Sequence, residues 1–444
     1  MDKKSFKNKV EGFSKFSKEE KINWIEKNYF ENLTNPILKK YWNNDISLQK
    51  IHDEFTENTI SNFYLPLGVA PNFLIDKKDY TIPMVIEESS VIAAACKAAK
   101  FWRTKGGFKT SIKSFKKTGQ VHFIYSGNKT DLMDFFKINK SKFFEDCNSI
   151  TSNMVKRGGG IIDIELLDKT NDIENYFQLN AIFDTVDSMG ANFINSCLEQ
   201  FASTFKNEAI KSTQLKTETY PIDVIMSILS NYVPECLVRA EVSCNVNSLA
   251  IQNGLSGKEY ADKFIRAIEI AKTQTTRAVT HNKGVMNGID SVVIATGNDF
   301  RAVEAGVHAY ASKDGNYKSL TDASLIEDVF KFWIEIPLAL GTVGGITNLH
   351  PLVKWSLDLL GNPNAQDLMK IVAVAGLAQN FGAINSLITT GIQKGHMKMH
   401  LINILNSLDA NENEKNKLLD VFKTNIVSYS SVKKELENLR NNEF

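Results

Sequence analysis

The pattern of apolar residues changes twice along the chain, and this change constrains the fold more than any other feature. Residues 87–102 carry apolar positions at three- and four-residue spacing, which is typical of a helix with one buried face. Between about 114 and 226, strand-like runs such as 121–125 and 161–166 alternate with helical segments. Longer helical runs return over 227–390. The sequence therefore predicts a large mixed α/β domain, 1–113 and 227–390, interrupted by a small α+β domain, 114–226.

The length of 444 residues agrees with this division, because one hydrophobic core rarely serves so long a chain. Further helices are predicted over 18–28 and 48–63, and one that opens at 187–192. The run 292–295 is predicted to be strand-like, and Gly284 and Gly288 are predicted to lie in turns. The last residues, 391–444, read as polar amphipathic helices with little apolar material of their own, which predicts a mobile flap.

Charge and composition exclude several classes of function. The chain has 52 basic and 51 acidic residues, so it lacks the strong positive field that nucleic-acid binding needs. Its charged N-terminus has no apolar signal-peptide core, and no stretch is expected to span a bilayer. Its five cysteines are scattered and include no CxxC pair, which argues against zinc and disulfides. The sequence predicts a cytoplasmic protein with reduced thiols, no bound metal and no membrane partner.

Several residues could carry chemistry. Lys283 lies between Asn282 and Gly284, where a turn just beyond a helix could present a fixed ammonium to a substrate oxygen. Taken alone, the same tripeptide is more typical of a solvated polar turn than of a functional site. Glu88 precedes an apolar helix that Ser90 or its neighbour could cap, so its charge also suits the helix dipole. His396 follows a glycine and is a candidate proton donor near neutral pH.

Phosphate-binding signals are sparse. The sequence contains neither GxGxxG after a strand nor a Walker A motif. The glycines at 158–160 follow Lys156 and Arg157, and the helix that opens at 187–192 offers backbone amides to an anion. Cys96, on an Ala-rich helix, is most simply a small core residue, although a nucleophilic thiol there would suit an acyl transferase.

Nine different short motifs follow one another along the chain at wide spacing. They are Glu-Glu-Ser-Ser at 87–90, Arg-Gly-Gly-Gly at 157–160, Asp-Ser-Met-Gly-Ala-Asn at 187–192, Thr-His-Asn-Lys-Gly at 280–284, Met-Asn-Gly-Ile-Asp at 286–290, Ala-Thr-Gly-Asn-Asp at 295–299, Gly-Thr-Val-Gly-Gly at 341–345, Val-Ala-Gly-Leu-Ala-Gln-Asn at 374–380 and Gly-Ile-Gln-Lys-Gly-His-Met at 391–397. Together these motifs closely resemble the class II, bacterial-type 3-hydroxy-3-methylglutaryl-CoA reductases. The resemblance runs from about residue 10 to about residue 410.

The resemblance implies roles for individual residues. By position, the catalytic residues are Glu88, Lys283, Asp299 and His396, with Asp299 bridging Glu88 and Lys283. The residues implied to contact the hydroxymethylglutaryl group are Ser90, Arg277, Asn287 and Gln379. The residues implied to bind the cofactor are Asp187, Met189, Gly190, Asn192, Asn231, Gly344 and Gly345. Thr151 takes the place where NAD-specific members carry a carboxylate, which favours NADP(H) over NAD(H).

The resemblance also implies a fold and a reaction. The small domain is expected to be a ferredoxin-like cofactor domain without a Rossmann fingerprint, and the chain is expected to form an obligate homodimer. The implied reaction reduces HMG-CoA to mevalonate and CoA with two hydrides. The same residues would serve the degradative, mevalonate-oxidising direction. A CoA-dependent acyl transferase using Cys96 and a non-catalytic CoA-binding protein are the alternatives from other classes.

Overall fold

The computed structural model describes residues 10–30, 37–249, 254–347, 349–389, 391–423 and 425–441, and of 392–399 it describes the backbone alone. The described residues of Met1–Pro66 and Leu349–Pro351 form one compact unit, and those of Leu67–Asn348 and Leu352–Phe444 form a second. Helices and antiparallel sheets are combined throughout the second unit, so the predicted mixed α/β class is confirmed.

The described part of the chain contains ten strands and fifteen α-helices. The strands are β1 Leu67–Ile75, β2 Lys78–Val85, β3 Lys109–Ile112, β4 Lys117–Ile124, β5 Gly160–Asp168, β6 Tyr176–Asp184, β7 Asp223–Leu229, β8 Leu237–Asn245, β9 Thr321–Ile326 and β10 Val329–Pro337. The helices are α1 Lys18–Tyr29, α2 Ile37–Lys40, α3 Ile46–Asp53, α4 Val91–Arg103, α5 Lys129–Asp146, α6 Asn148–Val155, α7 Ala191–Lys211, α8 Gly257–Thr273, α9 Thr275–Ala295, α10 Phe300–Ala311, α11 Pro351–Leu359, α12 Ala365–Ile388, α13 Ile392–Ser407, α14 Glu412–Val421 and α15 Tyr429–Asn441.

The first unit contains α1, α2 and α3. Helix α1 begins at a capping box in which Ser17 and Glu20 satisfy each other's backbone N–H groups. The ammonium of Lys18 joins α1 to α3 at 2.7 Å from the carboxylate of Asp53. Helix α3 ends at Asp53, ten residues before the predicted end, and the chain then runs through turns that include Asn58, which has a φ of 59°.

The largest core lies between the sheet β3-β8-β10-β9 and the helices α4, α8, α9 and α12. Helix α12 contacts all three of the other helices. By length and a mean hydropathy of 1.5 it could cross a membrane, so the expectation that no stretch has this character is wrong. Two thirds of that window, 67%, is buried inside the protein, and a helix that is apolar all round is also typical of a core.

Helix α9 runs unbroken through three predicted irregularities. The turns predicted at Gly284 and Gly288 and the strand-like run predicted at 292–295 all lie inside it, and these three predictions are wrong. The run 292–295 is apolar throughout because this part of α9 is buried on more than one side: Val292 and Val293 are adjacent, and both are enclosed by the core. Gly288 serves close packing, since an added Cβ would lie 2.8 Å from the Ala375 carbonyl carbon of α12.

A second core lies beneath the sheet β5-β6-β4-β7. The chain order β4, α5 and α6, β5, β6, α7, β7 is the split β-α-β pattern of ferredoxin-like folds. Strand β4 alternates buried and half-buried positions, as a sheet with one covered face requires. Helix α7 buries Ile194, Cys197, Leu198 and Phe201, which lie on one face at three- and four-residue spacing.

The three C-terminal helices have a small core of their own, which corrects the expectation that they carry little apolar material. Leu401, Leu405, Leu418, Val432 and Leu436 are among its buried members. Arg440 on α15 pairs with Glu414 on α14 at 2.6 Å and strengthens the same contact.

Candidate active site

Glu88 lies in a tight turn between β2 and α4. Ser90 ends this turn with a φ of 74°, in the left-handed region that favours glycine. Ser90 occupies the N-cap position of α4, as predicted, but its hydroxyl makes no capping hydrogen bond to the described helix. Its carbonyl accepts the N–H of Ala94 instead, at 2.9 Å. The hydroxyl of Ser90 is therefore not used by the cap.

Lys283 and Asn287 lie one turn apart on the same face of α9. Both side chains donate to the same carboxylate oxygen, Oε2 of Glu88: the Lys283 ammonium directly, and the Asn287 amide at 3.3 Å. Helix α9, which carries Lys283 and Asn287, and helix α4, which follows the turn with Glu88, are both packed against α12. A cation, an amide and a carboxyl group thus converge although Glu88 is 195 residues from Lys283.

The ion pair is open to solvent within the single chain. The Lys283 side chain is 57% exposed and that of Glu88 is 38% exposed. An exposed pair contributes little to folding, on the order of 0–1 kcal/mol. Fold stability therefore gives no reason for an ammonium and a carboxylate at this position, whereas a site that meets charge on a ligand does.

A buried polar cluster beneath the pair holds α9 in register. The Thr321 hydroxyl donates to the Asn380 amide oxygen at 2.9 Å, and the Asn380 amide donates to the His281 carbonyl at 3.1 Å. The His281 ring lies 2.6 Å from the Thr321 hydroxyl. Burial, with the Arg277 cation nearby, lowers the pKa of His281 to about 3, so its ring is neutral.

Asp299 does not bridge Glu88 and Lys283 within the chain, and this corrects the expectation. It caps α10, accepting the backbone N–H groups of Arg301 and Ala302 at 3.1 and 3.2 Å. Its carboxylate also receives the Arg301 guanidinium at 3.1 Å. Burial raises the pKa of Asp299, but these hydrogen bonds outweigh burial and leave its pKa below the usual value.

The other residues predicted to bind substrate or transfer protons have mixed positions. Arg277 lies half-buried in the first turn of α9, where burial lowers its pKa. Gln379 is buried on α12, and its amide oxygen has no hydrogen-bond partner among the described residues. The backbone of His396 belongs to α13, and its side chain lies outside the described residues.

A second carboxyl group lies farther along the face of α9 that carries Lys283 and Asn287. Asp290 follows Lys283 by seven residues, which is two helical turns. Burial, together with a hydrogen bond and charge repulsion from Glu304 on α10, raises the pKa of Asp290 to about 8. The two carboxyl groups thus hold a proton between them near neutral pH and join α9 to α10.

The residues predicted to bind the cofactor gather around the turn Thr185–Gly190. Met189 and Asn231 line a small cavity of about 20 Å³ beside the start of α7. Gly190, with a φ of 89°, occupies the N-cap of α7, and Asn192 is exposed in its first turn. The backbone N–H groups that such a helix start offers suit an anionic cofactor.

The loop that carries Gly344 and Gly345 meets the same turn. Thr342 and Val343 both donate their backbone N–H groups to the Asp187 carbonyl, at 2.8 and 3.2 Å. The Asp187 carboxylate accepts the backbone N–H of Ala365 at 2.9 Å, at the start of α12. Asp187 therefore holds the turn, which was expected to bind the cofactor, to its surroundings, and its carboxylate is engaged by the N–H of Ala365.

Thr151 is not presented to a ligand. It is buried in α6, and its hydroxyl donates to the Cys147 carbonyl at 3.1 Å. Ser152 next to it is exposed, as are Lys156 and Arg157 after the helix. Ser152, Lys156 and Arg157 are therefore among the exposed polar groups near the Gly triplet that can face a phosphate. The burial of Thr151 depends on which side of α6 it occupies, and the sequence alone did not reveal it.

Two further observations limit the chemistry. Among the described residues, no group of three or more His, Cys, Asp or Glu side chains could hold a metal ion. Cys96 is half-buried on α4, and burial raises the pKa of its thiol, which disfavours the thiolate that an acyl transferase would use.

Lys117 is a residue of this site that no motif singles out. It occupies a buried position of β4, in line with Gly119, Val121 and Phe123. The signal that could have found it is the lysine itself, because it stands at an inward position of an alternating strand.

The fold and the site together define an α/β enzyme that has a paired ammonium and carboxyl group and, in another part of the fold, a turn suited to an anionic cofactor. Residues 17–401 match the family model described as hydroxymethylglutaryl-coenzyme A reductase. The chain belongs to this family, and it is therefore an oxidoreductase that acts on hydroxymethylglutaryl-CoA. The resemblance found in the sequence is confirmed.

Curated and solved relatives agree. The chain is 35% identical over 440 residues to the 3-hydroxy-3-methylglutaryl-coenzyme A reductase of Archaeoglobus fulgidus, covering 99% of this chain and 96% of the relative. It is 33% identical over 411 residues to the probable reductase of Borreliella burgdorferi, covering 89% and 90%. The class II reductase of Streptococcus pneumoniae, solved with NADPH in open conformations, matches with a TM-score of 0.70 and 35% identity, over 88% of this chain and 92% of that one.

Proposed function

We propose that this chain reduces HMG-CoA to mevalonate and CoA with two hydrides from NADPH, at the pair formed by Glu88 and Lys283. The observation that carries the proposal is the convergence of the Lys283 ammonium and the Asn287 amide on one oxygen of Glu88. Reducing a thioester to an alcohol needs a cation for the developing oxyanion and a group that delivers a proton. The pair supplies both groups in contact.

In the first half-reaction, hydride addition converts the thioester carbonyl into an oxyanion. The Lys283 ammonium meets this charge, and the Asn287 amide holds the Glu88 carboxyl group beside the ammonium. The hemithioacetal then collapses to mevaldehyde and the CoA thiolate. His396 protonates the thiolate, because an imidazole titrates near neutral pH.

In the second half-reaction, hydride addition reduces the aldehyde, and Glu88 gives its proton to the alcohol oxygen. Asp299 keeps its catalytic assignment, with one condition. Its carboxylate must leave Arg301, at 3.1 Å in this chain, before it can reach the pair.

The remaining assignments concern the two ends of the substrate and the cofactor. Arg277, half-buried at the start of α9, binds the free carboxylate of the hydroxymethylglutaryl group. Ser90 and Gln379 contribute hydroxyl and amide groups, since neither the Ser90 hydroxyl nor the Gln379 amide oxygen is engaged by the described helices. The turn Thr185–Gly190 and the loop with Gly344 bind the cofactor.

NADPH is proposed as the preferred nucleotide. Lys156 and Arg157 are exposed beside the Gly triplet, where they can attract a 2′-phosphate. The Streptococcus pneumoniae enzyme, which is similar over 88% of this chain, is bound to NADPH.

The chain is proposed to work as a cytoplasmic homodimer. The ferredoxin-like part, 114–226, would be the cofactor domain, residues 1–113 and 227–390 the substrate domain, and 391–444 a flap that brings His396 to the site. The 57% exposure of Lys283 supports dimerisation, because the oxyanion must be met in a site shielded from water.

The test is a spectroscopic assay of reduced-nicotinamide consumption with HMG-CoA and either NADPH or NADH. Consumption of two nicotinamides per HMG-CoA is expected, with a higher kcat/KM for NADPH. Lys283→Met, which keeps the side-chain length and removes the charge, is the variant that tests the role of the ammonium. Activity equal to wild type in Lys283→Met would overturn the assignment of the site, and a preference for NADH would overturn the choice of nucleotide.

A further inference from the structure

Lys117 is an ammonium enclosed in the protein interior. Its residue is 2% exposed, at the first position of β4. Burying a lysine is costly unless its charge is hydrogen-bonded, and an apolar residue of similar length would fill the space without that cost. A lysine at this position therefore indicates a use for its ammonium and the hydrogen bonds that it donates, which methionine or leucine could not provide.

The ammonium is used to hold the turn Thr185–Gly190. It donates to the Thr185 hydroxyl at 2.6 Å and to the Ser188 carbonyl at 2.7 Å. The Thr185 hydroxyl itself donates to the Ser188 carbonyl at 2.7 Å. The three groups close a ring in which the Ser188 carbonyl accepts two hydrogen bonds and cannot rotate without losing both.

The backbone of this turn is strained and needs such support. Val186 has a φ of 48°, which is unusual for a β-branched residue. Gly190 has a φ of 89°, and an added Cβ there would lie 2.8 Å from the Thr185 Cβ. Strained backbone persists only where its surroundings hold it, and it is common where ligands bind.

The turn is held from its other side by main-chain contacts. Asp187 accepts backbone N–H groups from the loop 341–345 and from the start of α12, as described above. Lys117 thus lies on one side and this loop on the other. Lys117, Met189 and Asn231 also line the same small cavity of about 20 Å³. Burial lowers the pKa of Lys117, and the nearby Cys236, Asp184 and Asp187 oppose that shift.

We propose that Lys117 is a positioning residue for the nicotinamide cofactor, which acts by fixing the Ser188 carbonyl and the turn Thr185–Gly190. This inference rests on the cofactor role proposed for that turn. The ammonium would set the direction of the N–H groups that follow Ser188, at the start of α7. Removing it should weaken cofactor binding and leave the distant pair of Glu88 and Lys283 intact.

Three variants test the inference. Lys117→Met removes the charge and keeps the side-chain length, and Thr185→Val removes the hydroxyl of the ring. Thr185→Ser keeps the hydroxyl and is the matched control. The measurements are the Kd for NADPH by isothermal titration, the KM values for NADPH and HMG-CoA, kcat, and the thermal unfolding of each full-length protein.

Lys117→Met and Thr185→Val are each expected to raise the Kd and KM for NADPH about tenfold, the size of one lost hydrogen bond to a charged group. The KM for HMG-CoA should stay near the wild-type value, and Thr185→Ser should bind NADPH like wild type. If Lys117→Met fails to fold, the comparison of Thr185→Val with Thr185→Ser gives the same answer.

Wild-type affinity for NADPH in both Lys117→Met and Thr185→Val would overturn the inference alone. Equal losses of NADPH and HMG-CoA affinity would also overturn it, because they would indicate a general role in stability. If the wild-type protein bound neither NADPH nor NADH, the proposed function would fail and this inference would fail with it.

Discussion

Alanine at Gly288 and alanine at Gly284 are expected to have opposite effects, although the two glycines lie one turn apart on α9. A Cβ at position 288 would lie 2.8 Å from both the Ala375 carbonyl carbon and the Gln379 Cβ of α12. At position 284 the nearest described atoms are 3.7 Å away on Ala383 and 3.8 Å away on Asn380, which is ordinary van der Waals contact. The same substitution therefore meets a buried backbone at position 288 and only ordinary contacts at position 284.

The expected magnitude follows from two contributions to the free energy of unfolding. Replacing glycine by alanine inside a helix stabilises it by roughly 0.5–1 kcal/mol, and this gain is common to both variants. Overpacking costs about 1–3 kcal/mol and applies only to Gly288→Ala. The difference between the variants is therefore about 1–3 kcal/mol, with Gly284→Ala slightly more stable than wild type.

In Gly288→Ala, the disturbed packing of α9 on α12 should also lower the activity. Lys283 and Asn287 are carried by the same helix, so a shift of α9 away from α12 moves both donors away from Glu88. A displacement of about 1 Å can reduce a rate on the order of a hundredfold, so a loss of at least about tenfold in kcat is expected for Gly288→Ala. Gly284→Ala should retain most of its kcat.

The assay combines denaturant unfolding, followed by circular dichroism, with HMG-CoA reduction measured well below the unfolding temperature. The denaturant midpoints of the two variants should differ in the stated direction, and kcat should follow them. Equal midpoints and equal kcat in Gly284→Ala and Gly288→Ala would refute the reasoning that close approach to α12 positions the catalytic face of α9.

The remaining predictions concern proton transfer and pH. Lys283→Ala should abolish both half-reactions, whereas His396→Gln should block HMG-CoA reduction and spare mevaldehyde reduction; equal losses in both assays would contradict the role of His396. Because the folded-state pKa of Asp290 is raised to about 8, the folded chain holds a proton that the unfolded chain releases above about pH 4. Stability should therefore fall as pH rises from about 4 to about 8, and thermal unfolding of Asp290→Asn should show a smaller slope; an unchanged slope would refute the shared proton. Because burial lowers the pKa of His281 to about 3, the unfolded chain takes up a proton below about pH 6.5 that the folded chain refuses. Stability should fall as pH drops from about 6.5 towards 3, and His281→Asn should lessen this acid sensitivity in the same measurement. An unchanged acid sensitivity in His281→Asn would contradict a neutral ring.

Periodic segments could be predicted from the sequence because their pattern is local. Strand β4 alternates along one covered face, and α7 repeats its apolar residues every three or four positions. The predicted turns in α9 failed for the opposite reason. Gly284 and Gly288 are typical of turns as isolated residues, and only the packing of α12 against them makes a helix the stable choice.

The sequence by itself determined the family and the candidate catalytic residues, because motifs at fixed spacing can be recognised without a structure. The tertiary structure alone decided which of those residues meet. Glu88 and Lys283 come together because α4 and α9 both pack on α12, while Asp299 is held by Arg301 and Asp187 by the start of α12. The contacts of Lys117 were beyond prediction, since they depend on where a turn 68 residues away folds back onto β4. Motifs and periodic patterns can be read from the sequence because they are local. Contacts between distant side chains depend on how the apolar faces of the helices and sheets are buried against one another.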